Sequence, residues 1–178
     1  MTTHVAFVRA VMIGREGLHR EVLLDLFGTA GAREVHSYIS TGNVSFELDD
    51  ARLPDLVDDV ERAVTDVVGR PTEVFVRSLE ELQATIERDP FATSPFTDAQ
   101  ESLVIMFRDA VPAALRLPIE STRGDWTVFD AGPREVFAVC RDVDGRRQTP
   151  GGVVERLAGE RMTSRAWSTI ERIVAKLT

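Results

Sequence analysis

Ser37-Tyr38-Ile39-Ser40-Thr41-Gly42-Asn43-Val44-Ser45-Phe46 reads as strand, turn and strand. Glu34 to Ser40 and Val44 to Leu48 carry β-branched and aromatic residues, and Thr41-Gly42-Asn43 holds the two residue types that best tolerate positive φ in a tight turn. Upstream, residues 4–11 are apolar on both faces except at Arg9, as expected of a central strand covered on one side by helices. A glycine-punctuated loop, Gly14 to Gly17, follows. Val22, Leu23, Leu26, Phe27 and Ala30 then recur at helical spacing, with Gly28 and Gly31 to weaken and stop the helix. Downstream, Pro54 suits a first helical turn, and Leu53, Leu56, Val57, Val60, Val64, Val67 and Val68 form an apolar stripe ended by Gly69-Arg70-Pro71. Thr72 to Arg77 alternates like a strand. The order over residues 4–78 is β-α-β-β-α-β, a ferredoxin-like lobe with expected strand order 4-1-3-2 and both helices on one face.

Beyond residue 78 the pattern changes. A short helix from Leu79 to Arg88 leads to the turn-rich segment Asp89-Pro90-Phe91-Ala92-Thr93-Ser94-Pro95, read as a stiff hinge. Ser102 to Phe107, Trp126 to Phe129 and Glu135 to Cys140 read as strands, and Val111 to Leu117 as a helix between the first two. Asp142 to Gly152 is a polar loop. From Thr163, the spacing of Trp167, Ile170, Ile173, Val174 and Leu177 predicts a final helix capped by Thr163 or Ser164 and packed back on the core. The expectation is an α+β protein of two small lobes, 1–78 and 79–178, the second a related β-α-β-β-α arrangement.

The chain has 178 residues, 43% hydrophobic, enough to bury a substantial core. Its formal charge of -8, with no basic run and with no stacked aromatics on the first and third strands, disfavours nucleic acid as a partner. Nearly all its positive charge is arginine, since Lys176 is the sole lysine. No apolar stretch approaches the roughly 20 residues a spanning helix needs, and Met1-Thr2-Thr3 runs straight into an apolar strand, so the protein is expected in the cytoplasm and off the membrane. One cysteine, Cys140, excludes an intrachain disulfide and a cysteine-based zinc cluster.

The N-terminal runs, Val5 to Val11 and Ser37 to Phe46, together with Thr163-Ser164-Arg165-Ala166-Trp167-Ser168-Thr169, resemble the bacterial family known as domain of unknown function 1697. The resemblance runs almost end to end, implies the same α+β lobe, and names no reaction. Where the family has Arg-Gly-Ile-Asn-Val-Gly-Gly, this chain has Arg9-Ala10-Val11-Met12-Ile13-Gly14-Arg15. Where the family has Arg-Asn-Trp-Asn-Thr, it has Arg165-Ala166-Trp167-Ser168-Thr169. A flexible glycine and the asparagines that a ligand could have used are therefore missing.

No nucleophile elbow, phosphate loop, His-Glu-x-x-His or dinucleotide glycine fingerprint occurs in the sequence. His4, His19 and His36 are too dispersed to suggest a metal, no cofactor is implied, and Asp55, Asp58, Asp59 and Glu61 read as a solvated helix face. Cys140 lies in an apolar strand, where a thiol acts as a small hydrophobe. Trp167 reads as a core anchor, with a stacking platform beside Arg165 as the other possibility.

Topology supplies the sharper expectation. In the first lobe the first two strands are parallel, so the Gly14–His19 loop and the Thr41-Gly42-Asn43 turn share one edge of the sheet. That edge also carries the amino end of the first helix, with its unpaired amides. Gly14, Arg15, His19, Arg20, Thr41, Gly42 and Asn43 are the candidate ligand-binding residues, and a small anion or a partner protein is the expected occupant; a homo-oligomer is also open. An enzyme acting on a phosphorylated or carboxylated metabolite is the alternative, with His19 as its base. The residues alone favour a plain hairpin with solvated arginines, because such turn residues are common for turn reasons alone.

Overall fold

The computed structural model describes residues 1–178, which divide into two compact units, Met1–Glu81 and Leu82–Thr178. The elements of the N-terminal unit are β1 (Thr2–Val8), α1 (Arg20–Thr29), β2 (Arg33–Tyr38), β3 (Asn43–Leu48), α2 (Leu53–Val68) and β4 (Val74–Ser78). Its four strands form an antiparallel sheet in the order β2-β3-β1-β4, the order expected from the sequence. Alternation within each strand sends Ala6, Val8, Val44, Phe46 and Val76 to one face, where they meet Leu23 and Phe27 of α1 and Leu56, Val60 and Val64 of α2. Both helices therefore cover the same face. Val5, Phe7 and Phe75 point to the other face and are buried as well, which is why β1 is apolar on both sides.

Helix ends follow local chemistry. Gly69 closes α2 in the left-handed conformation, with φ 73°. Ser78 caps α3 (Leu79–Arg88): the Glu81 amide donates to Ser78 Oγ (3.0 Å), and the Ser78 amide donates to Glu81 Oε2 (2.7 Å). This reciprocal capping box satisfies two otherwise orphaned donors.

The C-terminal unit departs from its expected pattern. It contains β5 (Glu101–Met106), β6 (Ile119–Glu120), β7 (Trp126–Ala131), β8 (Glu135–Cys140), α4 (Gly151–Ala158), β9 (Thr163–Ala166) and α5 (Trp167–Leu177). The strands form a five-stranded antiparallel sheet in the order β6-β7-β8-β5-β9. The helix expected over Val111 to Leu117 is absent. Pro112 and Pro118 bracket a segment too short to propagate a helix, and it keeps a single turn closed by Leu115 N–H donating to Pro112 C=O (2.9 Å). α4 carries no helical signal in the sequence, because two glycines occupy its first turn and Val154 alone supplies its buried face.

Thr163 and Ser164 do not cap the last helix. They pair in β9 with Met106 and Ile105 of β5, and α5 begins at Trp167 behind Ala166. A row of unsatisfied β5 backbone groups outweighs the weak local preference of four residues. Val136, Ala138 and Cys140 face the core that includes Val154 of α4. On the opposite face of β8, Phe137 meets Trp167 at 6.0 Å between ring centroids, and Phe91 completes the cluster at 5.3 Å from Trp167.

Candidate functional site

Antiparallel pairing of β3 with both β1 and β2 makes β1 and β2 parallel, and the register places Phe7, Tyr38 and Asn43 at one level of the sheet. The loop after β1 and the β2–β3 turn consequently leave the same edge. They are joined by two backbone hydrogen bonds: Val8 N–H donates to Gly42 C=O, and Ile13 N–H donates to Ser40 C=O, each 2.8 Å. The loop also closes on itself, since Gly14 N–H donates to Leu18 C=O (2.8 Å), Leu18 N–H to Arg15 C=O (2.9 Å), and the Leu18 side chain is buried. From the other side, Arg70 donates to Ala10 C=O and pairs with Glu16 (2.8 Å), while Thr72 Oγ1 donates to Arg9 C=O (2.7 Å). The edge is a built surface anchored from three parts of the chain.

Its geometry at the turn differs from the expected one. Positive φ falls at Ile39 (58°) and Gly42 (71°), and Asn43 already belongs to β3. A Cβ on Gly42 would stand 2.5 Å from Val11 Cγ2 and 3.1 Å from Val8 Cβ, so both the backbone conformation and the packing call for glycine. Asn43 is fully buried, and its Nδ2 donates to Tyr38 C=O (3.1 Å) and Thr41 Oγ1 (3.0 Å). Thr41, Gly42 and Asn43 thus shape the turn, and their polar groups hold it together.

Arg15, His19 and Arg20 remain exposed, as does Gly14 at φ 89°. His19 is the N-cap of α1, in extended conformation, and no side chain caps the first-turn amides. Arg20 reaches Ser37 C=O at 3.4 Å. The carboxylates nearby are Glu16, held by Arg70, and Glu21 in the first turn of α1. Neighbouring charge is matched: Arg9 lies 3.5 Å from Glu73. Two apolar side chains that the sequence reading passed over also stand out from this edge, Met12 (44% exposed) and Ile39 (45%). Exposure of a single side chain carries no periodic signal, which is why the sequence did not mark them.

The remaining candidates lie elsewhere. His4 is buried in β1 and stacks on Phe46, at 5.4 Å between centroids. His36 is exposed in β2, and no group of three or more His, Cys, Asp or Glu is placed to hold a metal ion. Burial pushes the Cys140 thiol up to about 11. Arg165 donates to Thr163 Oγ1 (2.8 Å) and Ser164 C=O (2.7 Å), and burial lowers its pKa to about 10. Of the acidic face on α2, Asp59 pairs with Arg62 (3.0 Å) and Glu61 accepts from the Val74 amide (2.7 Å), so two of its four carboxylates are engaged within the unit.

Fold and edge together define a mixed α+β protein with two antiparallel sheets and a cationic loop edge on the first. The chain belongs to the family described as protein of unknown function (DUF1697), which matches residues 1–137. The match covers the N-terminal three quarters of the chain and ends before Thr163–Thr169. Among solved structures, the chain is similar to the conserved bacterial protein SP0830 from Streptococcus pneumoniae, with a TM-score of 0.69 and 18% identity over 99% of this chain and 98% of that one. At that identity the likeness shows the fold alone. No curated protein matches the chain. No helix is long and apolar enough to cross a membrane.

Proposed function

We propose that the N-terminal unit is a binding module whose loop edge accepts an anionic group. The observation that carries this reading is the gathering of Arg15, His19 and Arg20 around the uncapped amino end of α1, with no carboxylate engaging Arg15 or His19, in a chain whose net charge is -8. Backbone N–H groups at a helix start and guanidinium forks both suit carboxylate or phosphate oxygens. Gly14, Thr41, Gly42 and Asn43 support the reading as scaffold: they hold the loop and turn so that the cations face outward. We also read the protein as cytoplasmic, since its one cysteine is buried and inert, as suits a reducing compartment.

Titration with phosphate, sulfate and small dicarboxylates, followed by backbone amide shifts, tests the proposal. Shifts are expected at residues 14–22, and Arg15→Ala with Arg20→Ala should weaken binding about tenfold, since each lost charge-assisted contact contributes about 0.5–1.5 kcal/mol at an exposed site. Responses confined to Leu82–Thr178, or an affinity unchanged in the double variant, would refute it.

A further inference from the structure

We infer that the anionic group received at this edge belongs to an acidic, apolar-bearing segment of a partner protein, which docks over Met12 and Ile39. The inference rests on the reading of the edge as anion-accepting and adds the identity of its occupant. Only four large apolar side chains in the chain are exposed, and besides Met1 and Leu157 they are Met12 and Ile39. Each sits one residue from the Ile13–Ser40 hydrogen bond that ties the two loops together, so the topology delivers them to one place. Apolar side chains with Arg15 and Arg20 on the adjoining segments match the composition of a protein-binding patch, in which methionine and arginine are enriched.

Ile39 adds a second, independent observation. It is β-branched and held at φ 58°, a conformation in which a Cβ crowds the backbone and for which asparagine or glycine is the inexpensive choice. Core packing does not call for it, because Ile39 is 45% exposed and lies outside the core cluster of the unit. A β-branched residue kept in a strained conformation with nearly half of its surface in water points to a use of the side chain outside the fold. Charge complementarity selects the occupant. Arg15 and Arg20 stand beside the patch against Glu21, and Glu16 is held by Arg70, so the surface carries a local excess of positive charge and favours acidic segments. A second copy of this chain fits less well, because its matching edge would bring the same cations face to face.

Short synthetic peptides alternating Asp or Glu with Leu or Phe, measured by calorimetry and by methyl NMR, supply the test. Expected are saturable binding, shifts of the Met12 and Ile39 methyl signals, loss of affinity as salt rises past the screening range, and weakening of about tenfold in Met12→Ser, in Ile39→Asn and in Arg15→Ala. Ile39→Asn should meanwhile melt no lower than the parent, because asparagine tolerates positive φ. That thermal result separates a lost contact from a damaged fold. The inference fails if no peptide of the set binds, if peptides bind while both methyl signals stay silent, or if Met12→Ser and Ile39→Asn leave affinity unchanged. It also fails if both methyls instead shift with protein concentration and sedimentation shows a dimer, which would make a second copy the occupant. Phosphate-induced shifts at residues 14–22 without peptide binding would sink this inference alone, and silence toward both would sink the anion-binding reading with it.

Discussion

Ala10 stands where the family pattern has glycine, and its φ of 54° shows what that glycine is for. An L-residue held in the left-handed region costs about 1–2 kcal/mol, while glycine gives back about 0.4–1 kcal/mol through a freer unfolded chain. Ala10→Gly is therefore expected to stabilise the protein by about 0.5–1 kcal/mol, seen as a higher denaturant midpoint at unchanged slope. His4 offers a second test. Its Nε2 lies 3.1 Å from Oδ1 of Asp50, and Nδ1 has no hydrogen-bond partner. Burial lowers the pKa of its imidazole below 6.5, with Asp50 and Glu81 opposing the shift. Because the unfolded chain takes up the proton first, stability is full above about pH 6.5 and declines as pH falls toward the lowered folded value. Denaturation between about pH 8 and about pH 5 should show this decline, and His4→Leu should flatten it.

Gly42 and Trp167 are where single residues govern whole elements. The β2–β3 turn approaches the loop after β1 so closely at Gly42 that a methyl group would displace Val11. Gly42→Ala combines overpacking with backbone strain, and a loss of about 2–4 kcal/mol is expected, with amide shifts spreading through residues 8–13. In the C-terminal unit, Trp167 is 8% exposed and begins α5 against Phe91 and Phe137. Trp167→Ala should cost about 3–5 kcal/mol in chemical denaturation, and a loss under about 1 kcal/mol would show that the ring has no packing role.

At the scale of the molecule, the charge of -8 opposes polyanions, and the edge proposed as an anion acceptor would act on single anionic groups only, over a short range. A duplex oligonucleotide followed by fluorescence anisotropy is expected to show no binding at about 0.15 M salt, whereas retention that falls steeply as salt rises would mark a phosphodiester-binding surface.

Amino-acid order by itself determined the N-terminal unit, because each of its elements is written in short-range terms: a short apolar run or a two-residue alternation for strands, the i, i+4 stripe Leu56, Val60, Val64 for α2, and Gly42 for the turn. From that order of elements the meeting of the two loops followed as topology. Tertiary structure alone decided what needed distant partners. Thr163–Ala166 became a strand because β5 offered it backbone groups, and Asn43, whose amide is satisfied within the turn, became buried because β3 seats it opposite Phe7 of β1. Arg70 reached across 60 positions to hold the Ala10 carbonyl. Exposure of Met12 and Ile39 was equally beyond periodicity, since whether a lone apolar side chain meets protein or water depends on which neighbours the completed fold brings over it.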